Sequence, residues 1–182
     1  MAMRSALIIL LLILPLLYNA QGVVLRTDSA KIDFVSEAPL EFISASSNEC
    51  SGILDKNKNT FAFRVRIRSF EGFNSPLQKE HFNENYLESE DIPYATYVGK
   101  FLGPINYQSN ETFNVSTKGS IEIHGVADER VINLVFRIEE SGAINFSGAF
   151  DVELVTHDID VPRIVYQKIS ETIQISIKGV LL

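Results

Sequence analysis

Residues 60–69 alternate without a slip. Phe61, Phe63, Val65 and Ile67 fall on one side, and Ala62, Arg64, Arg66 and Arg68 on the other. A period of two, with aromatic and β-branched residues on one side, belongs to a strand with one wet and one dry face. The same one-sided alternation recurs at 94–102, 113–123, 130–139, 143–154 and 172–182. It recurs in shorter form at 31–36 and 40–45, with 49–54 as a possible continuation of the meander. About eight such strands joined by short turns make an antiparallel sheet whose apolar face must be covered.

Little in the chain is available to cover it. Ser75-Pro76 is a helix start, with serine as cap, proline in the first turn and Gln78 placed for a capping box. Phe82 and Tyr86 stand four apart on one face, which predicts a helix over 76–89 that ends before Ile92-Pro93. Residues 163–168 read as one or two further helical turns. One short helix cannot cover eight strands. Closing the sheet on itself buries the apolar face and removes both edges, so the expected fold is all-β with one to two short helices, an eight-stranded antiparallel barrel. A two-layer β-sandwich is the alternative that the pattern leaves open.

The N-terminus is a separate matter. Arg4 precedes an apolar run over 6–18, and small residues follow at Ala20 and Gly22. That is the layout of a secretory signal peptide, and the run is shorter than the ~20 residues needed to span a bilayer. Residues 1–22 therefore read as a cleaved leader and 23–182 as a single domain, periplasmic or secreted, with no stable membrane anchor after cleavage. Cys50 is the only cysteine, so it forms no internal disulfide and reads as a small buried hydrophobe. The net charge of −7 argues against nucleic acid and against anionic membrane surfaces, both of which want basic patches.

No chemical signature stands out. His81, His124 and His157 lie on separate elements without a metal-binding spacing, so neither a metal nor another cofactor is expected. Glu80, Glu84 and Glu88 form a stripe that reads as solvated. The Arg64, Arg66 and Arg68 row reads as an outer barrel face, with an anion-facing rim as the other possibility. Tyr97 and Thr117 are the obvious inward polar residues, and an enzyme would need a pair of that kind.

The phenylalanines carry more. The chain has twelve of them and no tryptophan. Phe61, Phe63, Phe101, Phe136, Phe146 and Phe150 point to one side of their strands, with Gly99, Gly119 and Gly148 on the same faces. Bulky apolar walls interrupted by glycine suit either a lumen for a long apolar ligand or a filled core. Val65, Ile67 and Tyr97 complete the expected wall, and Phe82 and Tyr86 on the helix are placed to close one end.

Three segments also carry a resemblance: H-F-N-E-N-Y-L-E-S-E-D-I-P-Y-A-T-Y at 81–97, S-I-E-I-H-G-V at 120–126 and D-I-D-V-P-R-I-V-Y-Q-K-I at 158–169. In this order and spacing they are similar to the YceI-like family, particularly its bacterial members, and the likeness covers most of the chain after the leader. The resemblance implies a lipocalin-like eight-stranded barrel with a helix over one end, extracytoplasmic. It implies an exported protein holding a polyisoprenoid, an isoprenoid quinone or a similar lipid in the lumen. It brings no catalytic residues.

Overall fold

The computed structural model describes residues 24–108 and 110–182, so the predicted leader lies outside the described residues. Eight antiparallel strands follow one another around a closed barrel. They are β1 (Val24–Glu37), β2 (Phe42–Asp55), β3 (Thr60–Arg66), β4 (Tyr94–Phe101), β5 (Thr112–Ile123), β6 (Val126–Ile138), β7 (Ile144–Glu153) and β8 (Thr172–Leu181). The first and last strands close the ring, with Phe34 opposite Ile175 and the Arg26 and Leu182 backbones exchanging two 2.8 Å hydrogen bonds. The sandwich alternative is thereby set aside.

Three expectations need correction. Residues 40–45 and 49–54 are one strand, because the polar run between them stays paired. Ser47 is buried and donates to Ser69 Oγ at 2.6 Å, while Ser69 donates to the Arg66 carbonyl. The strand at 60–69 stops at Arg66, and Ile67–Ser69 form one tight helical turn. The helix at 76–89 is shorter than its spacing suggested. Helix α1 spans Pro76–His81, and a π turn over Phe82–Tyr86 completes it. Its start is capped nearly as expected: Ser75 accepts from the Gln78 N–H at 3.1 Å, but the Gln78 side chain reaches back to the Asn74 N–H rather than to Ser75.

The S-I-E-I-H-G-V segment makes the tightest hairpin. His124 and Gly125 both have positive φ, 53° and 74°, between paired Ile123 and Val126. Two left-handed residues in a two-residue loop match the twist of the strands they join.

The two ends of the barrel differ. At one end Leu25, Leu54, Phe101, Val115, Phe136, Ile138, Ile144 and Leu181 pack into a dry plug. Phe136 and Phe101 meet edge to face at 5.6 Å, and Phe101 leans on Phe61 at 5.2 Å. At the other end lie the β1–β2 and β5–β6 turns, the helical segment between β3 and β4, and residues 154–171.

Candidate functional site

Between the plug and that second end the barrel is hollow. A cavity of about 460 Å³ opens there, within the range of sites that hold small organic ligands. Its floor is made by Phe63 of β3 and Phe146 of β7, which reach across the barrel to 5.3 Å.

The glycines explain how such large rings leave room. Phe63 pairs across strands with Gly52, and Phe146 with Gly179. A methyl group on Gly52 would run into the Phe63 ring, and one on Gly179 would come within 2.9 Å of Phe146 Cζ. Each ring therefore lies down over its bare neighbour instead of standing upright in the lumen. Leu134 lies over Gly148 in the same way. An aromatic ring folded onto a cross-strand glycine fixes register and restores the contacts that the glycine lacks.

Of the eleven expected wall residues, nine reach the cavity: Phe61, Phe63, Val65, Ile67, Phe82, Tyr86, Tyr97, Phe146 and Phe150. Phe101 and Phe136 do not; they belong to the plug beneath it. Sequence reasoning left out Ile173, Ile175 and Ile177 of β8, which form another wall, although their alternation was in plain view. It also left out Phe70 and Phe73, which sit in an irregular segment where no period reveals them. Both rings pack on Phe82, at 5.9 and 5.0 Å, and Phe34 stacks on it at 5.3 Å. This four-ring cluster pins the helical segment over the opening.

A second, smaller cluster of Ile67, Leu87 and Ile159 ties the end of that segment to residues 154–171. Hydrogen bonds strengthen the tie. His124 Nδ1 meets the His157 carbonyl at 3.1 Å, His157 Nδ1 meets the Val126 carbonyl at 3.0 Å, and Glu88 lies 3.4 Å from His124 Nε2. The histidines thus join loops. Among the described residues, no cluster of His, Cys, Asp and Glu could hold a metal ion.

Polar groups inside are few. The Tyr97 hydroxyl lies 2.8 Å from Thr117 Oγ1, and Thr117 donates to the Ile132 carbonyl at 2.7 Å. Thr117 has one proton and gives it to the carbonyl, so Tyr97 donates to Thr117 and both protons are committed. Burial pushes the Tyr97 phenol up, opposed by the Thr117 hydrogen bond. At the rim, Glu41, His81 and Lys168 reach the cavity. The Glu41 carboxylate accepts from Gln78 Nε2 at 2.9 Å. Of the arginine row, Arg64 borders the cavity while its exposed side chain spans Ser51 and the Tyr94 ring, and Arg68 pairs with Glu90 at 3.5 Å.

Cys50 is buried and lines the cavity. Burial pushes its thiol up to about 12, whereas an unfolded cysteine ionises near ~8.5. Between those values the unfolded chain binds fewer protons than the folded one, so stability falls as pH rises from about 9 to about 12. Urea midpoints measured at about pH 8 and about pH 10 should show that fall. Cys50→Ala is expected to flatten it.

A family model described as the YceI-like domain matches residues 24–181. The chain belongs to the YceI-like family. Solved structures with the same fold include BcnA of Burkholderia cenocepacia, at 12% identity and a TM-score of 0.69 over 84% of this chain and 96% of that one. A polyisoprenoid binding domain from Saccharophagus degradans superposes with a TM-score of 0.73 at 11% identity, over 87% and 97% of the two chains. The YceI protein of Campylobacter jejuni gives 0.58 at 15% identity, over 76% and 83%. A search of curated proteins found no match.

Proposed function

We propose that this YceI-like barrel is an exported binding protein that holds a long-chain amphiphile, a polyisoprenoid or an isoprenoid quinone, with its tail in the lumen. The observation that carries this reading is the apolar cavity itself, floored by Phe63 and Phe146 and open at one end. The plug at the other end sets the direction: the tail goes in first and the polar head stays at the rim, near Glu41, His81 and Lys168. The Saccharophagus domain, described as polyisoprenoid-binding, supports the same class of ligand.

Energetics agree. Each buried CH₂ is worth about 0.8 kcal/mol, so about ten of them offer roughly 8 kcal/mol, which is micromolar binding before ordering costs. Binding rather than catalysis fits the lumen, where the protons of Tyr97 and Thr117 are both taken up by acceptors. The filled-core reading suits only the plugged half of the barrel. The apolar leader supports export to the periplasm or medium.

Solvent extraction and mass spectrometry of protein purified from its own host should yield a prenyl lipid. Stripped protein should take up farnesol or a prenylated quinone. Neither extractable lipid nor uptake would sink the proposal. N-terminal analysis of the same sample should find the mature chain starting at Gln21 or Val23, and an intact Met1 would rule out export by cleavage.

A further inference from the structure

The cavity ends at a definite depth. Phe63 and Phe146 meet across it at 5.3 Å. The next inward pair on β2 and β3, Leu54 and Phe61, is buried in the core. A chain that enters from the rim therefore meets packed side chains once it reaches the two rings.

The walls give the distance. Beyond Phe63 the inward residues are Val65, near the end of β3, and Ile67 in the turn that follows. Phe146 lies over Gly179, and beyond Gly179 the β8 wall is Ile177, Ile175 and Ile173. From Phe63 to Ile67 is four residues and from Gly179 to Ile173 six, which at ~3.3 Å each on strands tilted by ~40° makes a depth of roughly 10–15 Å. An isoprene unit adds four carbons along the chain and extends it by roughly 5 Å, given zigzag bonds of ~1.5 Å. The head group is kept at the rim, because the protons of Tyr97 and Thr117 are committed within the wall and a buried polar group without a partner is costly.

We infer that Phe63 and Phe146 act as a ruler: the lumen takes up to about three isoprene units, a farnesyl chain, and a longer tail gains nothing from the units left outside. The inference rests on the cargo reading above and adds the length of chain that the site selects. Two glycines set the ruler. Each ring lies flat only because the residue across the strand, Gly52 or Gly179, has no side chain. A methyl group on Gly52 would meet the Phe63 ring, and with Leu54 and Phe61 packed beneath, that ring has only the lumen to move into.

The test is a chain-length series on the full protein. Dissociation constants of geraniol, farnesol, geranylgeraniol and geranylfarnesol, with two to five isoprene units, are measured by titration calorimetry below their micelle limits. Affinity should rise at least about tenfold from geraniol to farnesol and change less than about threefold beyond it. Phe63→Ala deepens the lumen by one ring, so its break should move to geranylgeraniol. Phe146→Ala repeats the deepening from the opposite wall. Gly52→Ala lifts the Phe63 ring, so farnesol should bind at least about tenfold more weakly, close to geraniol. Urea midpoints identify which variants are folded.

An affinity that climbs steadily through all four prenols in the wild type would overturn the inference, whatever the variants do. So would a break that stays at farnesol in the folded deepened variants. Straight-chain alcohols from hexanol to hexadecanol separate ruler from cargo, because a fixed floor gives them a break as well, at roughly eight to twelve carbons. Alcohol binding with that break but no prenol uptake would strike the cargo reading and leave the ruler standing. No binding in either series would overturn both.

Discussion

Gly119→Val is expected to prevent the barrel from folding. Gly119 of β5 stands directly opposite Gly99 of β4. A Cβ on Gly119 would lie 2.8 Å from Gly99 Cα and closer still to the Val98 carbonyl oxygen. A Cβ on Gly99 would lie 2.6 Å from Gly119 Cα. All of these are backbone atoms of the neighbouring strand, and backbone cannot swing aside as a side chain can. At this pair the two strands approach so closely that glycine alone fits. Relief would mean breaking the β4–β5 ladder. The cost is expected to exceed about 4 kcal/mol, a large part of the ~5–15 kcal/mol that holds a domain of this size.

Gly148→Ala is the informative control. The atom nearest its new methyl is Leu134 Cδ2, the end of a flexible side chain, although the Asn133 carbonyl at 3.2 Å must also give slightly. It should cost about 1–2 kcal/mol. Urea denaturation of both variants compares them. A Gly119→Val protein that folds with near wild-type stability would show that the approach is not tight.

This pair also shows where sequence reading succeeds and where it stops. Alternation alone gave the walls, because a strand with Phe61, Phe63, Val65 and Ile67 on one side has no stable arrangement except with that side inward. Ser75-Pro76 gave a helix start, since capping depends on local backbone geometry. The division of the lumen into plug and cavity was not legible. Phe63 and Phe101 have the same chemistry and the same alternation. What separates them is the residue across the strand, Gly52 for Phe63 and Thr117 for Phe101. That pairing is set by register between strands, which no local pattern records. The same limit hid Phe70 and Phe73, placed by the four-ring cluster around Phe82 and by no periodicity of their own. The π turn was hidden too. It lets Phe82 reach the cluster while Leu87 joins Ile67 and Ile159, a compromise between two packing demands.

The difference between plug and cavity leads to the other large effect. Ile175→Trp is expected to weaken prenyl-lipid uptake roughly a hundredfold while the barrel stays folded. Ile175 lies between Phe34 on β1 and Phe150 on β7, is only half-buried, and faces the cavity. A larger ring there extends into open volume, and it competes with the cargo for the same space. Displacing three or four CH₂ groups at about 0.8 kcal/mol each loses about 3 kcal/mol, roughly a hundredfold in affinity. Phe136→Leu should do the reverse. Phe136 is almost fully buried in the plug, against Phe101 and Phe113. Trimming it should cost about 2 kcal/mol of stability and leave uptake unchanged, because the Phe63–Phe146 floor stands between it and the ligand. Farnesol titration and urea denaturation of the two variants should therefore give opposite patterns. If Ile175→Trp bound as tightly as the wild type, or if Phe136→Leu lost affinity in proportion to stability, the lumen above the floor would not be where the cargo sits.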